Sequence, residues 1–509
     1  MVRRAIGWCV CGATILVALV SIADAGQVGA LTAAVKRGDR TAVRTLVRRS
    51  PATVKVAETD GTTPLHWAVL SGDGAMVEIL LRAGAPVDAR NRYGITPLAL
   101  AAQNGDLEVM QRLIEAGGDV NARRVAGDSV LMTAARTGNA DAVRLLVRHG
   151  ADVNAHESTM GETALAWAAA ENHAAVVAAL ADSGADVNGR SDVLTFPEFQ
   201  WQGLSMVKAR LPRGAWTPLM HAARQGALDG VRALVDHGAD PNLQDPDGMT
   251  ALVAAIINAH YDVASLLLDR GADPNIGDMT GMTALYALVD MRTLANMQGR
   301  PAPKLVDTTD TPALFRQLMA KGADPNARLS RTIIGRHHGQ GDPLLGEGAT
   351  PLHRAAKSLD VEMMRLLLEH GSQPLAAKAD GTTPLMLAAG GQIPRNLGLT
   401  PASAAELTAS GVRLLLDRGG DPGAFNRFGQ TALHFAVERG ADVSVVQLLV
   451  TRGADPDFRD RQGRTALDLA SRPARGAANE NREKVVSLLR SVTKSVPATA
   501  PEPSEASTP

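Results

Sequence analysis

The chain has 509 residues, of which 52 are basic and 53 are acidic, so its formal net charge is −1 at pH 7. A near-neutral chain offers no basic field to nucleic acid or to an anionic membrane surface, and we expect neither as a partner. Aromatic residues make up only 3% of the sequence, as expected where Leu, Ala and Val fill thin layers between helices.

The N-terminus carries the features of an export signal. Two arginines precede an apolar run over residues 5–22, and small residues follow it at 23–25. This order predicts a secretory signal peptide over residues 1–25, in the style of a bacterial protein that is periplasmic or extracellular. An uncleaved anchor in the inner membrane is the alternative, because a span needs about 20 apolar residues. Both cysteines, Cys9 and Cys11, lie in this segment, so the cleaved protein would contain no thiol.

The rest of the chain is organised around one stretch, residues 61–91, whose copies begin 33 or 34 residues apart at Gly94, Gly127 and Gly161. A fixed period in the range of about 20–50 residues indicates a repeat architecture. One such unit cannot bury its apolar face alone, so neighbouring units are expected to stack.

Each copy is predicted to be a helix, a turn, a second helix and a finger loop. In the first regular copy Thr63 is a suitable N-cap, and Pro64 follows at the first helical position, where its missing amide costs nothing. Apolar residues recur at helical spacing on both sides of a break at residues 72–74. Gly84 then stands where a helix ends in a left-handed residue.

Two motifs recur in phase along the chain. The capping sequence Thr63-Pro64-Leu65-His66 returns as Thr350-Pro351-Leu352-His353 and, altered, as Thr431-Ala432-Leu433-His434. The sequence Gly-Ala-Asp-x-Asn follows the second helix at residues 150–154, 184–188, 238–242, 271–275 and 322–326. In these motifs the chain resembles the ankyrin repeat family from about residue 27 to residue 492. The resemblance implies an all-α solenoid, a curved and elongated stack of helix pairs that binds other proteins.

The period predicts about twelve helix-turn-helix units including the caps, a stack on the order of 100 Å long. The predicted divisions are an N-terminal capping repeat (26–59), repeats (60–192), a finger insertion (193–213), repeats (214–328) interrupted at 296–310, a second finger insertion (329–346), repeats (347–461) interrupted at 392–408, a C-terminal capping repeat (462–494) and a disordered tail (495–509). Insertions in repeat proteins often mark the binding side, so the two finger insertions are expected to flank one shared surface.

The first finger insertion gathers aromatic residues in a chain that has few. Phe196, Phe199 and Trp201 lie close together in sequence, with Trp216 nearby. Two interpretations stay open. The insertion folds back and buries these rings on neighbouring helices, or it exposes them as anchors for a protein partner, since interface hot spots favour Trp, Tyr and Arg.

The second finger insertion carries Arg336, His337 and His338 beside Asp342. Adjacent histidines point apart in an extended chain, and no matching His, Cys or Glu follows at ligand spacing, which favours a polar loop over a metal site. A surface metal site or a pH-sensitive contact with a partner is the alternative.

The histidines of the capping motif, His66, His353 and His434, are predicted to be structural and to tie neighbouring units together by hydrogen bonds. The other structural motif residues are Thr63, Pro64, Thr350, Pro351 and Thr431. The sequence shows no nucleophile elbow, no zinc-protease motif and no phosphate loop, so we predict no catalytic residue, no metal and no cofactor.

The predicted function is a non-enzymatic protein–protein interaction scaffold, exported and monomeric, that binds its partner across the helices and fingers. One alternative is an accessory protein that senses a ligand or a metal through the central insertions. The other is a membrane-tethered organiser, which requires the N-terminal segment to stay uncleaved.

Overall fold

The computed structural model describes residues 29–194, 213–293, 307–333, 342, 344–391, 399–472 and 478–493. Within these residues every regular element is a helix, and the β-bridges are isolated pairs in the finger loops. The all-α class predicted from the period is therefore confirmed. The predicted signal peptide (1–25) and tail (495–509) lie outside the described residues, so both assignments stay predictions.

The helices belong to two compact units. Unit 1 ends at Ala272 and holds α1 (29–36), α2 (Arg40–Arg49), a 3₁₀ turn (Pro51–Lys55), α3 (Pro64–Leu70), α4 (Gly74–Arg82), α5 (Pro97–Asn104), α6 (Leu107–Glu115), α7 (Val130–Arg136), α8 (Ala140–Arg148), α9 (Ala164–Ala170), α10 (Ala174–Asp182), α11 (Pro218–Gln225), α12 (Leu228–Asp236), α13 (Ala251–Ile257) and α14 (Tyr261–Asp269).

Unit 2 runs from Asp273 onward and includes Asp247–Met249. It holds α15 (Ala284–Thr293), α16 (Thr311–Ala320), α17 (Pro351–Lys357), α18 (Val361–Glu369), α19 (Pro384–Ala389), α20 (Pro401–Asp417), α21 (Ala432–Glu438), α22 (Val443–Thr451), α23 (Ala466–Ala470) and α24 (Ala478–Val492). In both units an odd-numbered helix pairs with the even-numbered helix that follows, and we call them the first and second helix of a pair.

Side-chain caps set where the helices begin. Before α5, Thr96 is extended and its Oγ1 accepts the Ala99 amide at 3.2 Å, while Pro97 occupies the first turn. Several second helices use an acidic or amide cap instead, as Asp106 does for α6 by accepting the Val109 amide at 3.1 Å. The second helices α10, α12 and α14 have no side-chain cap. Each cap satisfies an amide that has no partner within its own helix, which fixes the start of the helix at that residue.

The Gly-Ala-Asp-x-Asn motif links one pair to the next. Asn121 Nδ2 donates to the Gly150 carbonyl at 3.0 Å, and Asn121 Oδ1 accepts the Asp152 amide at 2.8 Å. Asn154 repeats the first contact with the Gly184 carbonyl at 3.2 Å. At Gly150 φ is +87°, a conformation that residues with a Cβ rarely adopt, so the helix-ending glycine is required by the backbone.

The core of each unit lies between the stacked pairs. Leu65 on a first helix and Val77 and Leu80 on the following second helix are fully buried. Burying each such side chain contributes about 1.5–3 kcal/mol to the free energy of unfolding. Alanines at the remaining inward positions of the first helices, such as Ala101 and Ala134, let neighbouring helices approach closely.

Helix α20 departs from the pattern. It has 17 residues, whereas a regular second helix such as α22 has nine. It begins after Thr400, whose Oγ1 accepts the Ser403 amide at 3.2 Å. The second half of the predicted interruption at 392–408 is therefore helical, because a Thr-Pro start and a run of alanines favour helix there. Residues 392–398 lie outside the described part.

Unit 2 buries charge between its first helices. Arg354 Nε on α17 donates to Asp290 Oδ1 on α15 at 2.5 Å, and both side chains are at most 7% exposed. Arg292, in the last turn of α15, donates to Asp360 at 2.6 Å. Lys357 pairs with Asp342, which follows the second finger insertion. The first two ion pairs join α15–α16 to the next helix pair, α17–α18. In sequence, the predicted insertion 296–310 lies between α15 and α16, and 329–346 lies between α16 and α17.

Candidate protein-binding surface

The finger loops of unit 1 are joined to one another by backbone hydrogen bonds. The amide of Arg92 donates to the Asp60 carbonyl at 2.7 Å, and the amide of Val125 donates to the Tyr93 carbonyl at 3.2 Å. Further along, the Asp192 amide donates to the Met160 carbonyl at 2.8 Å. Each finger is therefore held in register by the next, and side chains at the tips are presented from a fixed backbone.

Four apolar side chains stand exposed on these consecutive fingers. Tyr93 is 58% exposed, Val125 77%, Met160 45% and Val193 59%. We call these four residues the finger-tip row. Single exposed apolar residues are ordinary on a protein surface, but an apolar side chain on each of several adjoining fingers is typical of a surface that contacts another protein.

A tryptophan is held rigidly near the start of unit 1. Trp67 on α3 is half-buried, and its Nε1 donates to Glu58 Oε2 at 2.9 Å. Lys36 Nζ lies 4.0 Å from the centroid of the indole and 2.7 Å from Glu58 Oε1. The carboxylate comes from the finger before α3 and the ammonium group from α1, so the ring is fixed on two sides by charged groups.

Trp167 on α9 repeats this arrangement. Its Nε1 donates to Glu162 Oε2 at 2.8 Å, and the Arg136 guanidinium lies 5.4 Å from the indole centroid. Burial raises the pKa of Glu162 because it disfavours the charged carboxylate. Trp67 and Trp167 both stand four residues after the cap of a first helix, so they occupy the same face of the stacked pairs in unit 1. We call this pair the tryptophan face.

His221 occupies the same position on α11. Its Nε2 lies 3.7 Å from Glu162 Oε1, too far for a hydrogen bond, and has no other partner among the described residues. Burial, together with the smaller effect of the Arg224 cation, lowers the pKa of His221 to about 4, so the ring is neutral at pH 7. Trp216 packs edge-on against it at 5.3 Å.

The sequence alone did not single out the tryptophan face. Trp67 and Trp167 are 100 residues apart in sequence. Their equivalence becomes clear only when the position of each is measured from the N-cap residue of its own helix. Comparing the position four residues after the cap through the repeats of unit 1 would have found them, because tryptophan occurs there twice in a chain that has only five tryptophans.

The aromatic residues predicted in the first finger insertion, Phe196, Phe199 and Trp201, lie outside the described residues. The structure does show the base of this insertion: Val193 and Gly214 form a bridge, and the Leu194 amide donates to the Arg213 carbonyl at 2.6 Å. The insertion thus leaves and rejoins the finger at neighbouring points, directly after the finger-tip row.

Trp216, grouped by sequence with those aromatic residues, is buried at 5% exposure. Its Nε1 donates to Asp245 Oδ2 at 3.1 Å, and Arg224 lies 5.3 Å from its ring centroid. It packs behind His221 and is not itself available to a partner.

Arg336, His337 and His338 of the second finger insertion also lie outside the described residues. At the base of that finger Leu329, Ile333 and Leu345 are buried. These three buried side chains anchor the described parts of the finger in unit 2. Leu329 and Ile333 precede the predicted histidine pair in sequence, and Leu345 follows it.

The histidines of the capping motif join neighbouring repeats. Thr63 donates its amide to His66 Nδ1 at 3.2 Å, and His66 Nε2 donates to the Ile95 carbonyl of the next finger at 2.9 Å. His353 and His434 make the same two contacts, reaching the carbonyls of Thr382 at 3.2 Å and Arg464 at 3.1 Å. Burial lowers the pKa of all three and takes that of His353 to about 3.

Within the described ranges, no group of three or more His, Cys, Asp or Glu side chains is placed to hold a metal ion. None of the helices that the structure describes combines the length and apolar character needed to cross a membrane.

Comparison with known proteins agrees with this architecture. A family model for three copies of the ankyrin repeat matches residues 12–91, 31–124, 98–191, 202–288 and 309–394, and a model for many copies matches residues 415–470. The chain is also similar to the ankyrin repeat and SAM domain-containing protein 6 of Danio rerio, with 30% identity over 155 residues. That match covers 30% of this chain and 16% of the relative. The chain belongs to the ankyrin repeat family.

Proposed function

We propose that this protein is a non-enzymatic scaffold that binds a protein partner through the finger-tip row and the tryptophan face of unit 1. The observation that carries the proposal is the doubly fixed indole, seen at Trp67 and again at Trp167, each held by a finger carboxylate and covered by a cation. Rings that are already fixed lose little conformational entropy when a partner contacts them.

Most of the binding free energy is expected to come from a few anchor residues and not from the surface as a whole. Tryptophan and arginine are enriched among interface residues whose loss costs more than about 1 kcal/mol. Trp167 is half-buried beside the exposed Arg136, so a partner would complete its burial rather than create it. The finger-tip row would add apolar contact area beside these anchors, and its variation between fingers would supply specificity.

We further propose that the protein works as a monomer outside the cytoplasm, after cleavage of residues 1–25. The order of basic, apolar and small residues at the N-terminus supports export. The intact mass of protein recovered from its native cells tests this. We expect the mass of residues 26–509 and no reactive thiol. The mass of the full chain, with both cysteines reactive, would identify the tethered form.

The binding proposal is tested by affinity capture from the native envelope fraction, followed by calorimetric titration of each captured protein. We expect Trp167→Ala to weaken binding by about 1–2 kcal/mol, roughly tenfold in Kd, because the anchor is lost. Replacing residues 193–213 by a regular finger tests the predicted anchors Phe196, Phe199 and Trp201 in the same assay.

The matched control is Leu107→Ala, which removes a partly exposed apolar side chain from the second helix α6 instead. It should leave the dissociation constant unchanged. Equal affinities for wild type, Trp167→Ala and Leu107→Ala would show that the tryptophan face is not the binding surface.

A further inference from the structure

The first turns of the long helix α20 line a groove in unit 2. The groove has a volume of about 430 Å³, within the range of pockets that hold a ligand or a short peptide segment. Its walls come from the start of α20, the ends of α19, α21 and α23, and the start of α24. The apolar lining consists of Ala389, Pro401, Ala404, Ala405, Val437, Ala441, Ala470 and Val485.

The small side chains in the lining decide what the groove can take. Ala404 and Ala405 on α20 are only half-buried, although neighbouring helices surround them. A segment of Ala, Pro and Val residues would fill the space above them without displacing a helix, whereas long aromatic side chains find no deep pocket. The occupant is therefore expected to be an extended stretch of small apolar residues.

The charge at the rim is positive. Two arginines, Arg439 and Arg482, face the groove with one carboxylate, Asp442. Arg482 donates to the Ala470 carbonyl at the end of α23 at 2.7 Å, and Asp442 accepts the Ser444 amide at the start of α22 at 3.0 Å. Both side chains are therefore already hydrogen-bonded to the backbone at helix termini.

Arg439 differs from the other two. It is exposed, and its guanidinium makes no hydrogen bond or ion pair with the described residues. Burial is the main cause that lowers the pKa of Lys357, and repulsion from Arg354 and, to a smaller extent, from Arg439 lowers it as well, so Arg439 lies in the neighbourhood of Lys357. An acidic side chain on the occupant would relieve this excess of positive charge.

We propose that the segment following α24, residues 494–509 of this same chain, docks in the groove. Its sequence consists largely of Ala, Pro, Ser and Thr, and its charged residues are Lys494 at its start and the two acidic residues Glu502 and Glu505. Small apolar residues match the lining, and either glutamate supplies the carboxylate that Arg439 lacks.

The segment is long enough to reach. From Val492, at the end of α24, back to Asn481 at the groove is 11 residues along the helix, or about 17 Å at 1.5 Å per residue. Residues 494–502 span up to about 30 Å when extended. A tethered segment acts at an effective concentration of about 1 mM, so a contact that would be weak between separate molecules suffices.

The test uses the full-length protein with a photo-crosslinking amino acid in place of Ala405. After irradiation, peptide mass spectrometry locates the partner of the cross-link. We expect the cross-link to fall within residues 494–509 of the same molecule. Arg439→Glu should lower its yield about three- to fivefold, as for loss of an exposed ion pair. Adding Glu502→Arg and Glu505→Arg to Arg439→Glu should restore the yield.

The matched control is Arg427→Glu, the same charge reversal at an exposed finger residue of unit 2. It should leave the yield unchanged, and circular dichroism should report the same fold for every variant. Cross-links to another part of the chain, to a second molecule or to a different protein would overturn the proposal. So would a yield within residues 494–509 that Arg439→Glu leaves unchanged.

Discussion

His353 shows how a single side chain joins two repeats and couples their stability to pH. The Thr350 amide donates to its Nδ1 at 3.2 Å, so Nδ1 is an acceptor without a proton. Its Nε2 lies 3.2 Å from the Thr382 carbonyl and must donate. Protonation would place a second proton opposite the Thr350 amide in a fully buried site. The environment therefore keeps the ring neutral, which agrees with a pKa of about 3.

This geometry predicts that the protein loses stability as the pH falls below about 6.5. In the unfolded chain His353 takes up a proton near pH 6.5, whereas in the folded protein it does so only near pH 3. The unfolded state therefore binds more protons between these values, and stability rises with pH across that window. His353→Gln should reduce the pH dependence of the free energy of unfolding by about 1 kcal/mol per pH unit between pH 6.5 and 4.

The measurement is urea unfolding at a series of pH values. His149→Gln changes an exposed histidine after α8 and serves as the control, and its profile should follow that of wild type. Parallel profiles for His353→Gln and wild type would show that His353 takes up its proton at the same pH in the folded and unfolded states, and that its bonding pattern is not the one described.

At the scale of elements, the buried ion pair between Asp290 and Arg354 connects α15 to α17. Removing one partner of a buried ion pair commonly costs about 3–5 kcal/mol, whereas replacing both by apolar residues is often neutral. We expect Arg354→Met to lower the free energy of unfolding by about that amount. The double variant Arg354→Met with Asp290→Leu should recover most of the loss in equilibrium unfolding measurements.

An exposed pair provides the comparison. Lys484 and Glu480 on α24 form an ion pair in which both side chains are more than half exposed. Lys484→Met should leave the unfolding midpoint unchanged, because exposed pairs contribute little. If Arg354→Met behaved like Lys484→Met, the buried pair would not hold the two helices together.

The same elements show what the sequence could and could not predict. The helix pairs followed from the period, because caps such as Thr96 and Thr217 recur in phase with the glycines that end helices. The long helix α20 was not expected, since its first residues break that phase and were assigned to an interruption. The burial of Arg354 was missed for another reason: an arginine in a repeat is normally at the surface, and only its partner 64 residues earlier makes burial possible.

At the scale of the whole molecule, the packing is local. The main contacts of each described helix are with its own partner and with the adjoining pairs, as α7 shows with α5, α8 and α9. Stability in such an arrangement is approximately a sum of contributions from each repeat and from each interface between neighbours. A defect in one pair should then weaken that pair and its neighbours without reaching distant ones.

Hydrogen exchange tests this locality. Leu113 on α6 is fully buried, and Leu113→Ala should cost about 2–5 kcal/mol by leaving a cavity. We expect amides of α3–α8 to exchange faster in this variant, while those of α13 and α14 in the same unit keep their wild-type rates. Leu107→Ala, at a partly exposed position of the same helix, should change neither set. Faster exchange spread evenly over α5–α14 in Leu113→Ala would mean that unit 1 unfolds as one cooperative body, because a defect in one pair would then lower the protection of all.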